Sequence, residues 1–240
     1  MGWVLPLDIY FSPMKFTFLF AFVFGSSMFF SCNRENSDTV QQDLIFQTYT
    51  LVYNGTEDKT YARASYRFSN AVGTLLFLSG GATVRFNGNE MDWKNLLAYY
   101  ELEFQGNLTS GVFEYTDADG NLFVNPISQV DSISFPATFT SLTQNTGNYT
   151  LNWVGTSLAA GQDVLVTIDG TFQNDVKLFS ATNPGSTSVI LEANKINGLG
   201  PGTADAWMYR NMSTGLIEST SAGGVISARF EAAKTQISVQ

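Results

Sequence analysis

The stretch YTLVYNGT at residues 49–56 recurs as YTLNWVGT at residues 149–156. Five of the eight positions are identical, and Tyr53 of the first copy is matched by Trp153 of the second, so Trp153 is expected in the core. The offset of 100 residues is the length of a small domain, whereas solenoid repeats are several times shorter. The match therefore predicts a tandem duplication of a β-strand-rich domain.

Two further pairs of segments follow in the same order at a similar offset. They are TLLFLSGGATVRFNGNEM (74–91) with VKLFSATNPGSTSVILEANKI (176–196), and SISFPA (132–137) with VISARFEA (225–232). We place the boundary near Phe135–Pro136, because a proline cannot donate to a sheet ladder and suits a linker or the start of a strand. The duplication thus predicts domains at 44–137 and 138–240.

Apolar residues recur with a period of two, which is the period of a β-strand. Tyr100, Leu102 and Phe104 alternate with two glutamates and share one face. Residues 164–168 form a β-branched run that ends at the turn pair Asp169–Gly170. Turn residues recur every 8–12 positions, so each unit holds about seven short strands. The predicted fold class is all-β, with two tandem Ig-like β-sandwich domains after a signal peptide.

Composition excludes several classes of function. The net charge is −9, and only 12 residues are Lys or Arg, so nucleic acid is not expected as a partner. Histidine is absent, which removes Ser-His-Asp catalysis and His-ligated metal sites. The single cysteine, Cys32, precedes the predicted domains, so they contain no thiol nucleophile and no disulfide. We therefore expect no enzyme activity and no cofactor.

The N-terminus has the pattern of an export signal. Met14–Lys15 supplies a basic start, and the apolar run 16–30 is shorter than a membrane span. Met14 is the preferred start, because residues 1–13 lack the basic character of a signal. Ser31–Cys32 resembles the end of a bacterial lipoprotein signal, so residues 1–32 are predicted to be a signal peptide that ends at this cysteine. The resemblance implies that the chain is cleaved before Cys32, which becomes the lipidated N-terminus. An ordinary secretory signal and an uncleaved anchor are the alternatives.

Residues 33–43 are polar and free of aromatics, so we predict a flexible tether. Their two leading acidic residues, Glu35 and Asp38, resemble the surface-export signal of Bacteroidetes-type lipoproteins. The implied location is the bacterial outer membrane, facing either the periplasm or the cell surface. The membrane is then a partner through the N-terminal lipid.

The domains also carry a resemblance. The YTL-x-aromatic-x-Gly-Thr strand and SAGGVI at residues 221–226 resemble the Ig-like domains of uncharacterised Bacteroidetes-type secreted lipoproteins. The resemblance spans most of residues 44–233 and implies Ig-like sandwiches. Because these motifs are generic strand-and-turn patterns, they imply nothing about a ligand.

The candidate ligand-binding residues are Asp205, Trp207 and Tyr209. In the strand pattern DAWMYR the two aromatic residues share one face, and Ala206 and Met208 share the other. Rings that point outward beside a carboxylate form a platform for sugars. Packing of Trp207 in the core or between the domains is the alternative.

Two further groups carry oxygen ligands or carboxylates. Asp117, Asp119 and Asn121 have the alternation of a calcium loop, but they also form a favoured hairpin turn, and the EF-hand pattern fails at the following positions. Glu101 and Glu103, with Glu114, are the candidate acid/base pair of a glycosidase, or simply a solvated sheet face.

Three functions remain open. The first is a lipid-anchored, non-catalytic envelope or cell-surface binding module for a glycan or a protein. The second is a structural or accessory subunit of an envelope complex. The third is an acid-dependent hydrolase.

Overall fold

A computed structural model describes residues 34–172 and 175–240, and nearly all of its regular structure is β. In this part of the chain, the single α-helical turn is α1 (Ala193–Ile196), and short 3₁₀ turns lie at Ser37–Thr39 and Gln42–Leu44. The strands are β1 (Arg34–Asn36), β2 (Ile45–Asn54), β3 (Lys59–Phe68), β4 (Leu75–Phe77), β5 (Thr83–Phe86), β6 (Asn89–Glu90), β7 (Asp92–Lys94), β8 (Tyr99–Gln105), β9 (Ser110–Thr116), β10 (Leu122–Ser128), β11 (Ile133–Ser134), β12 (Ser141–Leu142), β13 (Tyr149–Asn152), β14 (Val154–Gly155), β15 (Gln162–Asp169), β16 (Lys177–Ala181), β17 (Ser188–Leu191), β18 (Gly202–Gly215), β19 (Gly224–Glu231) and β20 (Thr235–Val239). The prediction of an all-β fold is confirmed.

One large sheet runs through both halves of the chain, which we define as residues 34–137 and 138–240. Its main path has the order β1-β4-β3-β2-β19-β18-β15-β16. At the junction, β2 and β19 pair in parallel over eight residues, from Gln47 opposite Gly224 to Asn54 opposite Glu231. The described residues, 34–172 and 175–240, accordingly form one compact unit. The halves share a sheet as well as a linker, and the domain boundary near Phe135–Pro136 stays a prediction.

In the first half, a second sheet of order β10-β9-β5-β6 packs on β2 and β3. The contact is aromatic. Tyr49 stacks on Phe113 with the ring centroids 4.7 Å apart, and Tyr66 packs on Tyr115 at 4.5 Å. All four side chains are fully buried. Large rings on alternate positions of facing strands therefore fill the layer between two sheets, as a sandwich requires.

The second half has its own pair of layers. Strands β13 and β17 form a two-stranded sheet, while β15, β16 and β18 belong to the large sheet. Leu151, Val166 and Met208 are buried and belong to the continuous hydrophobic core. Trp153 is 6% exposed and donates its indole N–H to the carbonyl of Thr156, so its predicted core position is confirmed.

The two copies of the repeated sequence have different strand partners. In the first copy, β2 lies between β3 and β19 at the centre of the large sheet. In the second copy, β17 is the one described strand that pairs with β13. Tyr49 is fully buried, whereas the matching Tyr149 is only half-buried. The two similar sequences therefore both form strands, but these strands differ in their neighbouring strands and in the burial of the matching tyrosine.

Residues 34–43 pack against the rest of the first half, although their composition predicts a flexible tether. β1 pairs in parallel with β4. Ser37 is fully buried, and the Gln42 amide donates to the carbonyl oxygens of Ser37 and Val40 while accepting from the backbone N–H of Ala118. A polar segment docks in this way when each buried polar group finds a partner. Composition alone does not reveal those partners.

Within residues 34–172 and 175–240, no helix is both long and apolar enough to span a bilayer. The predicted signal, its apolar run and Cys32 lie outside the described residues.

Candidate functional site

Strand β18 carries the sequence-predicted residues, and its alternation decides which way they point. Ala204, Ala206 and Met208 are buried on its inner face. Trp207 and Tyr209 therefore lie on the outer face, where both are half-buried. Successive side chains of a strand point to opposite faces, so the rings point outward when Ala204, Ala206 and Met208 point inward. Trp207 is therefore not in the core, and its ring lies on the outer face near Asn54, Thr56 and Glu57 of the first half.

Asp205 lies on the same face and is already bonded to β20 and the residue before it. Its Oδ1 accepts from Gln236 Nε2 at 3.0 Å, and its Oδ2 lies 3.1 Å from Lys234 Nζ. These hydrogen bonds from Gln236 and Lys234 lower the pKa of Asp205 below its ordinary value. The carboxylate is thus held ionised and oriented.

Each aromatic ring has a cationic neighbour. Lys234 Nζ lies 5.7 Å from the centroid of the Trp207 ring, and Arg229 Cζ lies 5.3 Å from that of Tyr209. Both distances are within cation–π range. Burial raises the pKa of Tyr209, and the nearby carboxylate of Glu231 raises it further. Tyr209 is therefore a neutral hydroxyl, able to donate and accept hydrogen bonds.

A shallow cavity of about 300 Å³ opens beside these rings, and we call it the aromatic cavity. It combines ring surface with carboxylate, amide and ammonium groups. Its lining is Asn54, Thr56, Glu57, Trp207, Tyr209, Glu231, Ala232 and Lys234. Burial raises the pKa of Glu231, an effect that the positive charge of Arg229 partly offsets.

A larger cavity of about 460 Å³ lies on the same face, where the two halves meet; we call it the junction cavity. Its lining comes from five strands and is mostly polar: Thr50, Val52, Arg63, Asp163, Asn211, Met212, Ser213, Ser227, Ala228 and Arg229. Asn211 accepts from Arg229 Nε at 2.7 Å and donates to Asp163 at 2.8 Å. Arg229 also packs on Tyr209, which lines the aromatic cavity. Arg229 therefore contacts residues of both cavities.

The chemistry of this face suits recognition of a polar ligand. Half-buried rings offer apolar surface, while Asp163, Asn211 and Glu231 offer hydrogen-bonding groups beside them. In the described residues, no three Asp, Glu, Cys or His side chains group closely enough to hold a metal ion.

The candidate calcium residues form a hydrogen-bonded turn. Asp117 is 2% exposed, and its Oδ1 accepts from the backbone N–H groups of Asp119 and Asn121 at 3.0 and 2.8 Å. Its Oδ2 accepts from the Asn121 amide at 2.9 Å. This is the side-chain-to-backbone bonding of an Asx turn, and it occupies both oxygens of Asp117.

The three candidate glutamates each have another partner. Glu101 pairs with Arg63 at 2.7 Å, and Glu103 pairs with Lys59 at 2.5 Å, both across to β3. Glu114 lies on the other sheet, where it accepts from the backbone N–H of Gly88 at 3.2 Å. The structure therefore does not bring Glu114 together with the other two on one sheet.

Arg210 is a residue that sequence reasoning missed. Its side chain is fully buried, and it donates to Gln162 Oε1 at 2.7 Å and to the carbonyls of Thr156 and Ser157 at 3.2 and 2.7 Å. Burial lowers the pKa of its guanidinium, and the charge of Asp131 partly offsets this. Arg210 thus binds the β14–β15 loop to the strand that carries the aromatic rings.

The remaining residues of the face were also not found from sequence. Glu231, Lys234 and Arg229 come from β19 and from the segment after it. Arg229 and Glu231 alternate on one face of β19, but nothing in the local sequence indicates that β18 is the neighbouring strand. The signal that would reveal it is the pairing register, which a single sequence does not contain.

No protein-family model and no curated protein matches the sequence. Solved structures show limited likeness. A 1.5-MDa bacterial ice-binding adhesin, described for host cell surface retention, is 14% identical, with a TM-score of 0.24 over 81% of this chain and 66% of the other. The FN1–FN3 domains of chicken CNTN1 are 9% identical, with a TM-score of 0.23 over 78% and 65%.

The third is a Ca²⁺-stabilised, ice-binding adhesin of an Antarctic bacterium. It is 13% identical, with a TM-score of 0.24 over 80% of this chain and 49% of the other. This chain spans less than two thirds of the length of each of these proteins. Likeness at this level carries no assignment of function.

Proposed function

We propose that the protein is a lipid-anchored, non-catalytic envelope or cell-surface module that binds a glycan through the outer face of β18. The observation that carries this proposal is the outward position of Trp207 and Tyr209 beside the aromatic cavity. Core packing would have removed both rings from solvent, whereas the alternation of β18 presents them.

The ligand class follows from the chemistry of the lining. Sugar rings have apolar C–H faces, which stack on aromatic rings, and hydroxyls, which bond to carboxylates and amides. Trp207 and Tyr209 supply the first kind of surface, and Glu231 and Asn54 supply the second. The junction cavity extends the face toward Asn211 and Asp163, so an oligosaccharide has room to continue beyond the first sugar.

The anchor is the second component of the proposal. The apolar run 16–30 ends at Ser31–Cys32, and we propose that export is followed by cleavage and lipidation at Cys32. Mass spectrometry of the exported chain tests this. An N-terminal diacylglyceryl cysteine is the expected product, and a free Cys32 thiol or an intact run 16–30 would refute it.

The binding test is a glycan array probed with the soluble fragment 33–240. Trp207→Ala and Tyr209→Ala should each abolish or strongly weaken saturable binding. The matched control is Phe77→Ala, which removes a partly exposed aromatic ring on β4, near the far edge of the large sheet. Equal binding by Trp207→Ala and the parent fragment would refute the assignment of this face.

An accessory subunit of an envelope complex is the second candidate. Leu178 of β16 and Ile190 of β17 are each about half exposed, at 51% and 53%, on neighbouring strands of the second half. Such side chains favour protein contact when they form a continuous patch. If the array shows no binding, a pull-down from envelope extracts that is lost in Leu178→Ser would support this candidate.

A further inference from the structure

The first described strand, β1, lies at one edge of the large sheet. β1 begins at Arg34, pairs with β4, and is the first strand in the order of the sheet. Arg34 follows Cys32 by two residues, and two residues of extended chain span at most about 7 Å. A lipid on Cys32 would therefore keep this edge next to the membrane surface.

An exposed apolar hairpin tip lies beside that point. The turn between β7 and β8 carries Leu96, which is 99% exposed, and Leu97, which is 58% exposed. Two adjacent leucines at the tip of a turn contribute nothing to the core when they stand in water. Arg34 contacts this hairpin directly, because its Nη1 donates to Asn95 Oδ1 at 3.3 Å.

The base of the hairpin has the amphipathic character of a membrane interface. Trp93 donates its indole N–H to Asn95 Oδ1 at 2.8 Å and packs edge-on against Phe77, with the ring centroids 5.4 Å apart. The Arg34 guanidinium lies 5.5 Å from the centroid of the Trp93 ring. Lys94 adds a second cation, 3.9 Å from Asp92. Aromatic rings with adjacent cations are typical of the lipid headgroup region, with apolar side chains reaching below it.

From this arrangement we infer that Leu96 and Leu97 insert into the membrane surface and fix the orientation of the protein on it. The inference rests on the proposed anchoring at Cys32. A lipid bilayer is the occupant favoured here, because the short connection from Cys32 to β1 brings the hairpin to the bilayer without any other partner. The edge formed by β1 then faces the membrane, and the β16 edge points away from it. Seven steps between neighbouring strands separate the two edges, or roughly 34 Å at about 4.8 Å per step.

The test uses the full chain, expressed so that it is exported, with Leu96→Cys or the control Leu178→Cys. Leu178 is 51% exposed and lies on β16, at the opposite edge. Lipidation blocks the only native thiol, so a fluorescent thiol label reports the introduced cysteine alone. The purified lipoprotein is reconstituted in vesicles of phosphatidylethanolamine and phosphatidylglycerol. Quenching is measured with aqueous iodide and with spin-labelled lipid.

We expect the label at residue 96 to be quenched by spin-labelled lipid and to be several-fold less accessible to iodide than the label at residue 178. Equal iodide quenching at the two sites in a chain shown by mass spectrometry to be lipidated would overturn the membrane contact and leave the anchor intact. Shielding of residue 96 from iodide without quenching by lipid would assign the hairpin to a protein partner instead. Recovery of the processed chain as an unlipidated soluble protein would overturn the anchor and the contact together.

A label-free measurement completes the test. In a supported bilayer, polarised infrared dichroism of the amide I band should show oriented strands for the native lipoprotein. The orientation should be lost in the double variant Leu96→Ser, Leu97→Ser, whose substitutions are in an exposed turn and leave the core unchanged. Unchanged dichroism in this variant would contradict the role of the leucines.

Discussion

The side-chain amide of Asn125, in the first half, is both a donor and an acceptor to the backbone of Glu218, in the second half. Its Oδ1 accepts from the Glu218 N–H at 3.1 Å, and its Nδ2 donates to the Glu218 carbonyl at 2.8 Å. The same Oδ1 accepts from the Ile217 N–H at 2.9 Å, and Glu218 Oε2 accepts from the N–H of Val124. One buried amide of β10 thus fixes the loop between β18 and β19.

Replacing Asn125 with alanine should destabilise the whole protein by about 2–4 kcal/mol, because it leaves backbone groups of the loop without partners in a poorly hydrated site. Urea unfolding followed by circular dichroism measures the change. Asn107→Ala is the matched control, since Asn107 is exposed in a loop of the first half. Equal midpoints for the two variants would contradict the bridging role of Asn125.

Replacing Arg210 with methionine should lower the free energy of unfolding by about 3 kcal/mol or more, because it leaves the carbonyls of Thr156 and Ser157 without their donor. Arg210→Lys should recover little of the loss, since an ammonium cannot reproduce the planar fork. Arg85→Met, at an exposed position of β5, controls for loss of a charge. Full recovery by lysine would indicate that the positive charge of Arg210, and not the planar arrangement of its donors, stabilises the protein.

Asp205 predicts a pH dependence of stability. Its pKa is lowered in the folded protein, so its contribution is present above the ordinary value of 3.8 and is lost as the pH falls through the folded pKa. Asp205→Asn should therefore show a smaller loss of stability between about pH 5 and pH 2 than the parent chain. Thermal unfolding across this range measures it, and Asp119→Asn, on an exposed turn, is the control. A parallel pH profile for Asp205→Asn and the parent would refute the prediction.

The pairing of β2 with β19 predicts how fragments 44–137 and 138–240 behave. Each fragment exposes a strand that loses an eight-residue partner. We expect cooperative unfolding to appear only when the two fragments are mixed. Co-purification and a thermal transition of the mixture measure this. If each fragment alone gives a sharp transition, the two halves are independently folding domains as the repeated sequence predicts.

Local pattern was sufficient to predict the strands and the faces of several of them. Tyr100, Leu102 and Phe104 share a face as expected, and the outward position of Trp207 and Tyr209 was one of the two alternatives that the alternation of β18 left open. Which alternative holds depends on what covers each face. Ala206 and Met208 contact the core because of the layer that packs on this face of β18. The sequence of β18 alone does not specify that layer.

Other features depend on distant residues and were out of reach of the sequence. Ser37 and Gln42 are polar, and composition predicts that they are solvated, yet both are buried because backbone groups accept or donate to them. Arg210 is charged and lies on the inner face, where alternation predicts an apolar residue. In each case a specific set of hydrogen-bonding partners outweighs the average cost of burying a polar group.

The parallel pairing of β2 with β19 also sets the order in which the protein assembles as it is synthesised. β2 ends at Asn54, and its partner begins at Gly224, so the centre of the sheet closes only after about 170 intervening residues have been synthesised. Until then β2 presents an unpaired edge, which is prone to aggregate. We therefore expect the chain to depend on a holding chaperone between the appearance of β2 and that of β19.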